Sequence, residues 1–159
     1  MKMMALDFAT TTGWSIWEDG SMHSGFVSFA AKGKANRDSR LLAFRNWLNA
    51  NATGVDCIAY EAVRNLKNAN ALICLAELQA VLKMFSLEHG IELHPYSAKE
   101  IKKHITGNGN ASKDMVMEAV NTKFNLSIKD DNESDSIALL SLALQKKFPD
   151  SVSFRESGN

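Results

Sequence analysis

At 159 residues and 45% hydrophobic, the chain is long enough for one domain with a sizeable core and too short for two comfortable ones. Its 18 basic and 18 acidic side chains cancel, so overall charge says nothing about a polyanionic partner and only local clustering can. Cys57 and Cys74 sit in apolar contexts with no CxxC spacing and no nearby histidine pair, which excludes a disulfide framework and a zinc site and suits buried thiols of a cytosolic protein.

The amino end carries one lysine and too short an apolar run before Asp7 for a signal peptide. Met3 to Gly13 (MMALDFATTTG) reads as a buried strand with an acid, Asp7, in its middle, followed by a polar turn. An unpaired carboxylate on a buried strand costs several kcal/mol by rough estimate, so it is normally paired, protonated or bound to a metal. The plainer alternative is an aspartate capping the Thr-Thr-Thr-Gly turn.

Trp14 to Glu18, the Asp19-Gly20 pair and Ser21 to Ala30 then predict a three-strand meander with a hairpin turn. Lys32 to Arg45 holds five basic residues, Lys32, Lys34, Arg37, Arg40 and Arg45, against Asp38. It enters a helix whose apolar side is Leu41, Leu42, Phe44, Trp47 and Leu48. The basic run is either a solvated helix face or a surface for phosphates.

Val55 to Ala62 (VDCIAYEA) is a short, nearly continuous apolar run that suits a central strand, and it places a second acid, Glu61, at a strand's carboxyl end. Ala69 to His89 is predicted as the longest helix, stopped by Gly90. Its recurring Leu72, Leu75, Leu78, Val81, Leu82 and Phe85 are widened by Ile73, Cys74 and Met84 beyond what one packing face needs. That width means either a buried helix or a dimer contact. Asn70, Glu77, Gln79 and Lys83 interrupt the stretch, so no membrane span is expected.

Ile91 to Tyr96 reads as a further strand closed by Pro95, and Ser97 with Glu100 forms a capping box for a helix that carries Lys99, Lys102, Lys103 and His104. After Gly107-Asn108-Gly109-Asn110, Ser112 opens another helix with Lys113 in its first turn. A lysine there opposes the helix dipole unless an anion lies nearby. The last helix starts at Asp130, where Asp130, Asp131, Glu133 and Asp135 crowd the amino end. Acids in that position are ordinary dipole partners, though four within six positions is a high count. Residues 149–159 are a polar tail, expected to be loose, after a domain of residues 1–148.

An acid in the first strand, one ending a later strand and an acidic helix start would meet at one edge of a sheet in an α/β fold. Such a cluster repels itself unless a cation sits in it. Oxygen donors without a His/Cys pattern select Mg²⁺ or Mn²⁺. Two such ions, about 4 Å apart, can activate a water and stabilise the leaving oxygen in phosphodiester cleavage. The basic segments Lys32 to Arg45 and Lys99 to Lys113 would then hold the phosphate backbone around an acidic centre.

With these residues in hand, the chain resembles the RuvC-type Holliday junction resolvases of the RNase H-like superfamily, and most of all their bacteriophage branch. The likeness runs from Met3 to about Lys147 through LDFATTTGW, YEAVRNLKNANA, YSAKEIKKHITGNGNASK and NESDSIALL, in that order. The third block is the most specific, with Tyr96, Lys102, Gly107, Gly109, Ala111 and Lys113 in the family's spacing.

The resemblance implies an RNase H-like α/β fold with a five-stranded mixed sheet, strands one to three antiparallel and the rest parallel, flanked by helices. It implies Asp7, Glu61 and Asp135 as ligands of two Mg²⁺ ions, with Mn²⁺ able to substitute. The family's fourth acid is Asn132 here, so Asn132, Glu133 or Asp131 is left to complete the set. Lys102 and Lys113 would hold the scissile phosphate. Arg64 stands where cellular members carry an aromatic residue that wedges the junction open. DNA contacts are expected from Arg37, Arg40, Arg64, Lys67, Lys99, Lys102, Lys103 and Lys113.

The activity so implied is metal-dependent, symmetric nicking of branched DNA, leaving a 5′-phosphate. A homodimer through helix 69–89, working in the cytoplasm of a bacterial host, would carry it out. Two other readings stay open: a catalytically weak or inactive branched-DNA-binding dimer, and a nucleotide-binding protein of the actin-like ATPase fold. The second needs a repeated domain that 159 residues leave no room for.

Overall fold

The computed structural model describes residues 1–9, 11–29, 38–63 and 68–149. The candidate DNA contacts Arg37, Arg64 and Lys67, the basic residues Lys32 and Lys34, and the tail from residue 150 onward lie outside the described residues.

The first strands are β1 (Lys2–Asp7), β2 (Thr11–Glu18) and β3 (Ser21–Ser28). Between the last two, Asp19 and Gly20 both take positive φ, 51° and 86°, the hairpin turn whose twist matches its strands. Helix α1 (Ser39–Asn51) leads to strand β4 (Cys57–Glu61), helix α2 (Ala69–His89) and strand β5 (Glu92–Tyr96). Three helices close the chain: α3 (Ala98–Thr106), α4 (Lys113–Phe124) and α5 (Asp131–Lys147).

The strands form one five-stranded sheet in the order β3-β2-β1-β4-β5. β1 pairs antiparallel with β2 and parallel with β4, and β5 joins β4 in parallel. The expected α/β architecture, a meander followed by parallel strands, is the one observed. β1 is central because its residues 3–6 are all buried, which requires cover on both faces. Pro95 is accommodated because β5 is an edge strand.

Alternation along the strands divides the core in two. Met3, Ala5, Cys57 and Ala59 pack against Val116, Val120, Ile137, Leu140 and Leu144 of α4 and α5. Met4, Leu6, Ile58 and Tyr60 pack on the other face against Phe44, Leu48, Leu78, Leu82 and Phe85 of α1 and α2. Helix α5 is buried almost all round from Ser134 to Leu144. Its backbone is tied to the sheet there, Ser15 Oγ of β2 donating to the Ser136 carbonyl at 2.8 Å.

Two expectations about apolar faces are corrected. Leu42, assigned to the buried side of α1, is 64% exposed, since α1 meets the core through Phe44 and Leu48. On α2 only Leu78, Leu82 and Phe85 of the apolar stripe are buried, while Leu72, Ile73, Met84 and Leu87 are exposed. By length and composition alone α2 could cross a membrane. In this fold its buried side lies on the sheet, and Arg40 ties it to α1 through Glu77 at 2.6 Å. Cys57 is buried as expected, but Cys74, on α2, is only half-buried.

Candidate active site

Asp7 ends β1 and Glu61 ends β4, one position past the parallel pair Leu6 and Tyr60. The two acids therefore stand side by side, on the face of the sheet that α5 covers. Across the antiparallel side Asp7 is paired with Gly13, and Gly13 with Phe26. A Cβ on Gly13 would lie 1.8 Å from the Asn132 carbonyl oxygen. Glycine is what allows the first turn of α5 to seat directly on β2, and that seating carries Asp135 to the Asp7 edge.

The acids at the start of α5 separate by role. Asp130 caps the helix, accepting from the Glu133 amide at 3.0 Å. Asp131 pairs with Lys113, so the lysine that opposes the α4 dipole does have an anion beside it. Glu133 accepts from Ser24 Oγ at 2.7 Å and is held toward β3. Asp135 has no such partner among the described residues, and neither has Asp7 or Glu61. Dipole compensation thus accounts for part of the cluster and leaves these three carboxylates unexplained.

Their electrostatics mark them as one group. Burial, reinforced by the charges of Glu61 and Asp135, raises Asp7 well above the usual carboxylate range. Glu61 is raised by burial and by Asp135, with Lys102 and Lys113 opposing. Asp135 is pushed up to about 6, mainly by burial and against the pull of Lys113. Lys113 itself is raised, first by its hydrogen bond to Asp131 and further by Asp135 and Asp7. Lys102 is half-buried beside the same carboxylates.

The GNGNA stretch is explained by packing. Gly107 ends α3 with φ +80°, and a Cβ on Gly109 would meet Lys99 Cγ at 2.7 Å. Ala111 is buried and Ser112 caps α4, which fixes where Lys113 begins that helix. Lys99 and Lys103 are exposed on α3. Lys99 borders a cavity of about 230 Å³ floored by Phe8, Ala62, Val63 and Leu75, with Glu61 at its edge. Arg40, expected to contact DNA, forms an ion pair with Glu77 at 2.6 Å.

Two positioning residues escaped the sequence reading. Gln79, taken as a polar interruption of α2, is buried and donates to the Glu61 carbonyl at 3.0 Å, anchoring the end of β4. Gly13, which the sequence places at the end of a turn, lies inside β2. Each had a signal: a glutamine inside an apolar stripe, and a glycine inside a strand.

The donor set suits a hard divalent cation, since carboxylates that raise one another's pKa are relieved by one and no thiolate or imidazole is among them. Among the described residues no three Asp, Glu, His or Cys side chains are drawn together closely enough to hold an ion as they stand. Mg²⁺ requires less, because it keeps several waters and is bound through one or two carboxylates. The three acids are in electrostatic reach of one another, while Glu133 is turned away to Ser24.

A family profile described as "Crossover junction endodeoxyribonuclease RuvC" matches residues 9–144, beginning two positions after Asp7. A RuvC of Brachyspira hyodysenteriae is 38% identical over 73 residues, 46% of this chain and 46% of that protein. With the RuvC of Chlorobium phaeobacteroides the chain is 35% identical over a stretch that spans 42% of this chain and 35% of its relative. The chain thus spans less than half the length of these curated relatives, whereas that of Chloroflexus aurantiacus is matched over 90% of its length and 87% of this chain, at 26% identity.

Among solved structures, Thermus thermophilus RuvC superposes with a TM-score of 0.74 at 15% identity, covering 94% of this chain and 97% of that one. The same protein in complex with a Holliday junction substrate gives a TM-score of 0.75, covering 94% of this chain and 96% of that one. At such identity the likeness speaks for the fold. With the profile extending over most of its length, the chain belongs to the RuvC family of crossover junction endodeoxyribonucleases.

Proposed function

We propose that this chain is a divalent-metal-dependent endonuclease that resolves four-way and related branched DNA by paired, symmetric nicks. The observation that supports the proposal is that Asp7, Glu61 and Asp135 lie within electrostatic reach of one another, partly buried, mutually repelling and without hydrogen-bond partners among the described residues. Asp7, Glu61 and Asp135 would hold Mg²⁺ or Mn²⁺. Asn132 or Asp131 would complete the set ahead of Glu133, whose carboxylate is engaged by Ser24. Bound there, two such ions supply an acidified water and offset charge on the leaving oxygen.

The remaining steps belong to the chain. Lys113 and Lys102 flank the carboxylates and would orient the scissile phosphate and offset its developing charge. Lys113 reaches a phosphate by exchanging Asp131 for it. Lys99 and Lys103 would hold the flanking backbone, where contacts position the strand without reading its sequence. Arg37, Arg64 and Lys67 would supply further contacts, and Arg40 would join them by exchanging Glu77 for a phosphate.

The working unit would be a homodimer through the exposed apolar side of α2, because two sites on a two-fold axis suit strands of like polarity. The same proposal places the chain in the bacteriophage branch, acting in a bacterial cytoplasm. The test is a panel of labelled four-way, three-way, flap and linear duplex DNAs with Mg²⁺ or Mn²⁺, with the nicks mapped. Paired nicks in the four-way junction are expected, and none in any DNA with Asp7→Asn. Retained nicking by Asp7→Asn would end the catalytic assignment. Asn132 in place of an acid favours a second reading, a junction-binding dimer that does not cut; a gel shift without nicks in either metal would select it.

A further inference from the structure

β3 is an edge strand, and its exposed positions Ser21, His23 and Ser28 are small or polar. Phe26 interrupts that pattern. It is 55% exposed, and every other aromatic side chain among the described residues is buried or half-buried. Burying a phenylalanine is favourable, so leaving this one in water asks for a reason.

Its place supplies one. Phe26 is paired with Gly13, and Gly13 with Asp7, so all three lie in one row across the sheet and face the side covered by α5. Two strand spacings put Phe26 about 10 Å from Asp7, at the same end of the sheet and on the other flank of the α5 first turn. One position down the same face of β3, Ser24 holds the Glu133 carboxylate at 2.7 Å. An acid beside the ring repels a phosphate and leaves the uncharged face of a base as the fitting partner. A single ring among polar neighbours is also far smaller than the roughly 800 Å² each partner contributes to a stable protein interface, and it matches the area of one nucleobase.

We infer that Phe26 is a stacking platform for an unpaired nucleobase of the branched DNA, a nucleotide or two from the scissile phosphate. This rests on the nuclease reading above and adds to it a residue that selects DNA with unstacked bases. In a linear duplex the bases are already stacked and the ring has nothing to receive.

The test uses the full chain and a four-way junction with 2-aminopurine placed singly at positions around the mapped nick, in EDTA so that the DNA stays intact. Binding should quench the probe at one or two positions. Phe26→Ala should abolish that quench and weaken junction binding by roughly five- to a hundredfold. Phe26→Tyr should restore both, and linear-duplex binding should not change. A thermal melt of each variant reports whether it is folded. Phe26→Ala that binds, quenches and nicks like the wild type overturns the inference and leaves the nuclease reading standing. A change of oligomeric state with an unchanged fluorescence profile overturns it by reassigning the ring to a protein contact. A wild-type protein that neither binds nor nicks branched DNA overturns both.

Discussion

Gly13 and Asn132 touch across the gap between β2 and α5 so closely that a single methyl group on the glycine would sit 1.8 Å from the asparagine carbonyl oxygen. Because the clash is with backbone at the start of a buried helix, no flexible side chain can yield. Gly13→Ala is expected to push the first turn of α5 outward, destabilise the fold by about 1–3 kcal/mol and draw Asp135 away from Asp7. Urea denaturation measures the first effect. Nicking, in protein shown to be folded, should fall by more than the stability loss explains; unchanged stability would mean that the helix has other room to settle.

Asp7→Asn should separate stability from function. Asp7 is raised by burial and by its neighbours' charges, so a neutral isostere removes an unfavourable charge from the folded state. The metal-free variant should melt at a higher temperature than the wild type near neutral pH. It should also gain less from added Mg²⁺, which stabilises only what it binds, by about 2.7 kcal/mol at a hundred times Kd. Nicking should drop by more than about a hundredfold. A variant that melts lower than the wild type contradicts the repulsion.

His104 offers a pH test remote from the acids. Its ring lies 2.8 Å from Ser141 Oγ, and burial first, then the charge of Lys123, holds its pKa below the ordinary 6.5, with Gln145 and Lys146 also near. A folded pKa below the unfolded one means that the unfolded chain takes up the proton first. Stability from the neutral ring is thus full above about pH 6.5 and is lost as pH falls through and below it. His104→Gln keeps a hydrogen-bonding group without the titration. Its stability deficit against wild type should shrink as pH drops from about 7 to 5, with every other titrating group common to both proteins. A constant deficit would refute the assignment.

The proposed dimer contact on α2 can be tested directly. Ile73 is 46%, Met84 60% and Leu87 84% exposed, an apolar side that a lone copy leaves in water. Ile73→Lys combined with Met84→Lys should weaken self-association at least tenfold, the effect of losing interface anchors worth about 1.4 kcal/mol or more. The melting temperature of the monomer should barely change, since neither side chain is in the core. Sedimentation velocity over a concentration series reads this directly, and an unchanged dimer would move the interface elsewhere.

Much of this fold can be read from residues alone because local signals agree. Asp19-Gly20 makes its hairpin turn, Ser97 and Glu100 make their capping box, and Gly90 ends α2 in the left-handed conformation. Asp7 and Glu61 stand out as acids in apolar runs, whereas Asp135 is singled out from its acidic neighbours only by the family resemblance. What periodicity cannot supply is which side of a wide stripe meets the sheet. Leu42 and Met84 look like core positions until the neighbours of α1 and α2 are known. Nor can spacing tell which acid of a crowded helix start is free: Asp130, Asp131 and Glu133 take partners from the α5 backbone, from α4 and from β3. Gln79 and Gly13 act through backbone contacts made across the fold, which no local pattern reports.

The pairing of β1 with its two neighbours makes the whole centre depend on strand phase. Asp7 meets Gly13 on one side and lies one step beyond Leu6 and Tyr60 on the other, so a single residue inserted or deleted upstream within β1 would turn its carboxylate toward the α1 and α2 layer. The six residues of β1 cannot drift by one and keep the three carboxylates on one side of the sheet.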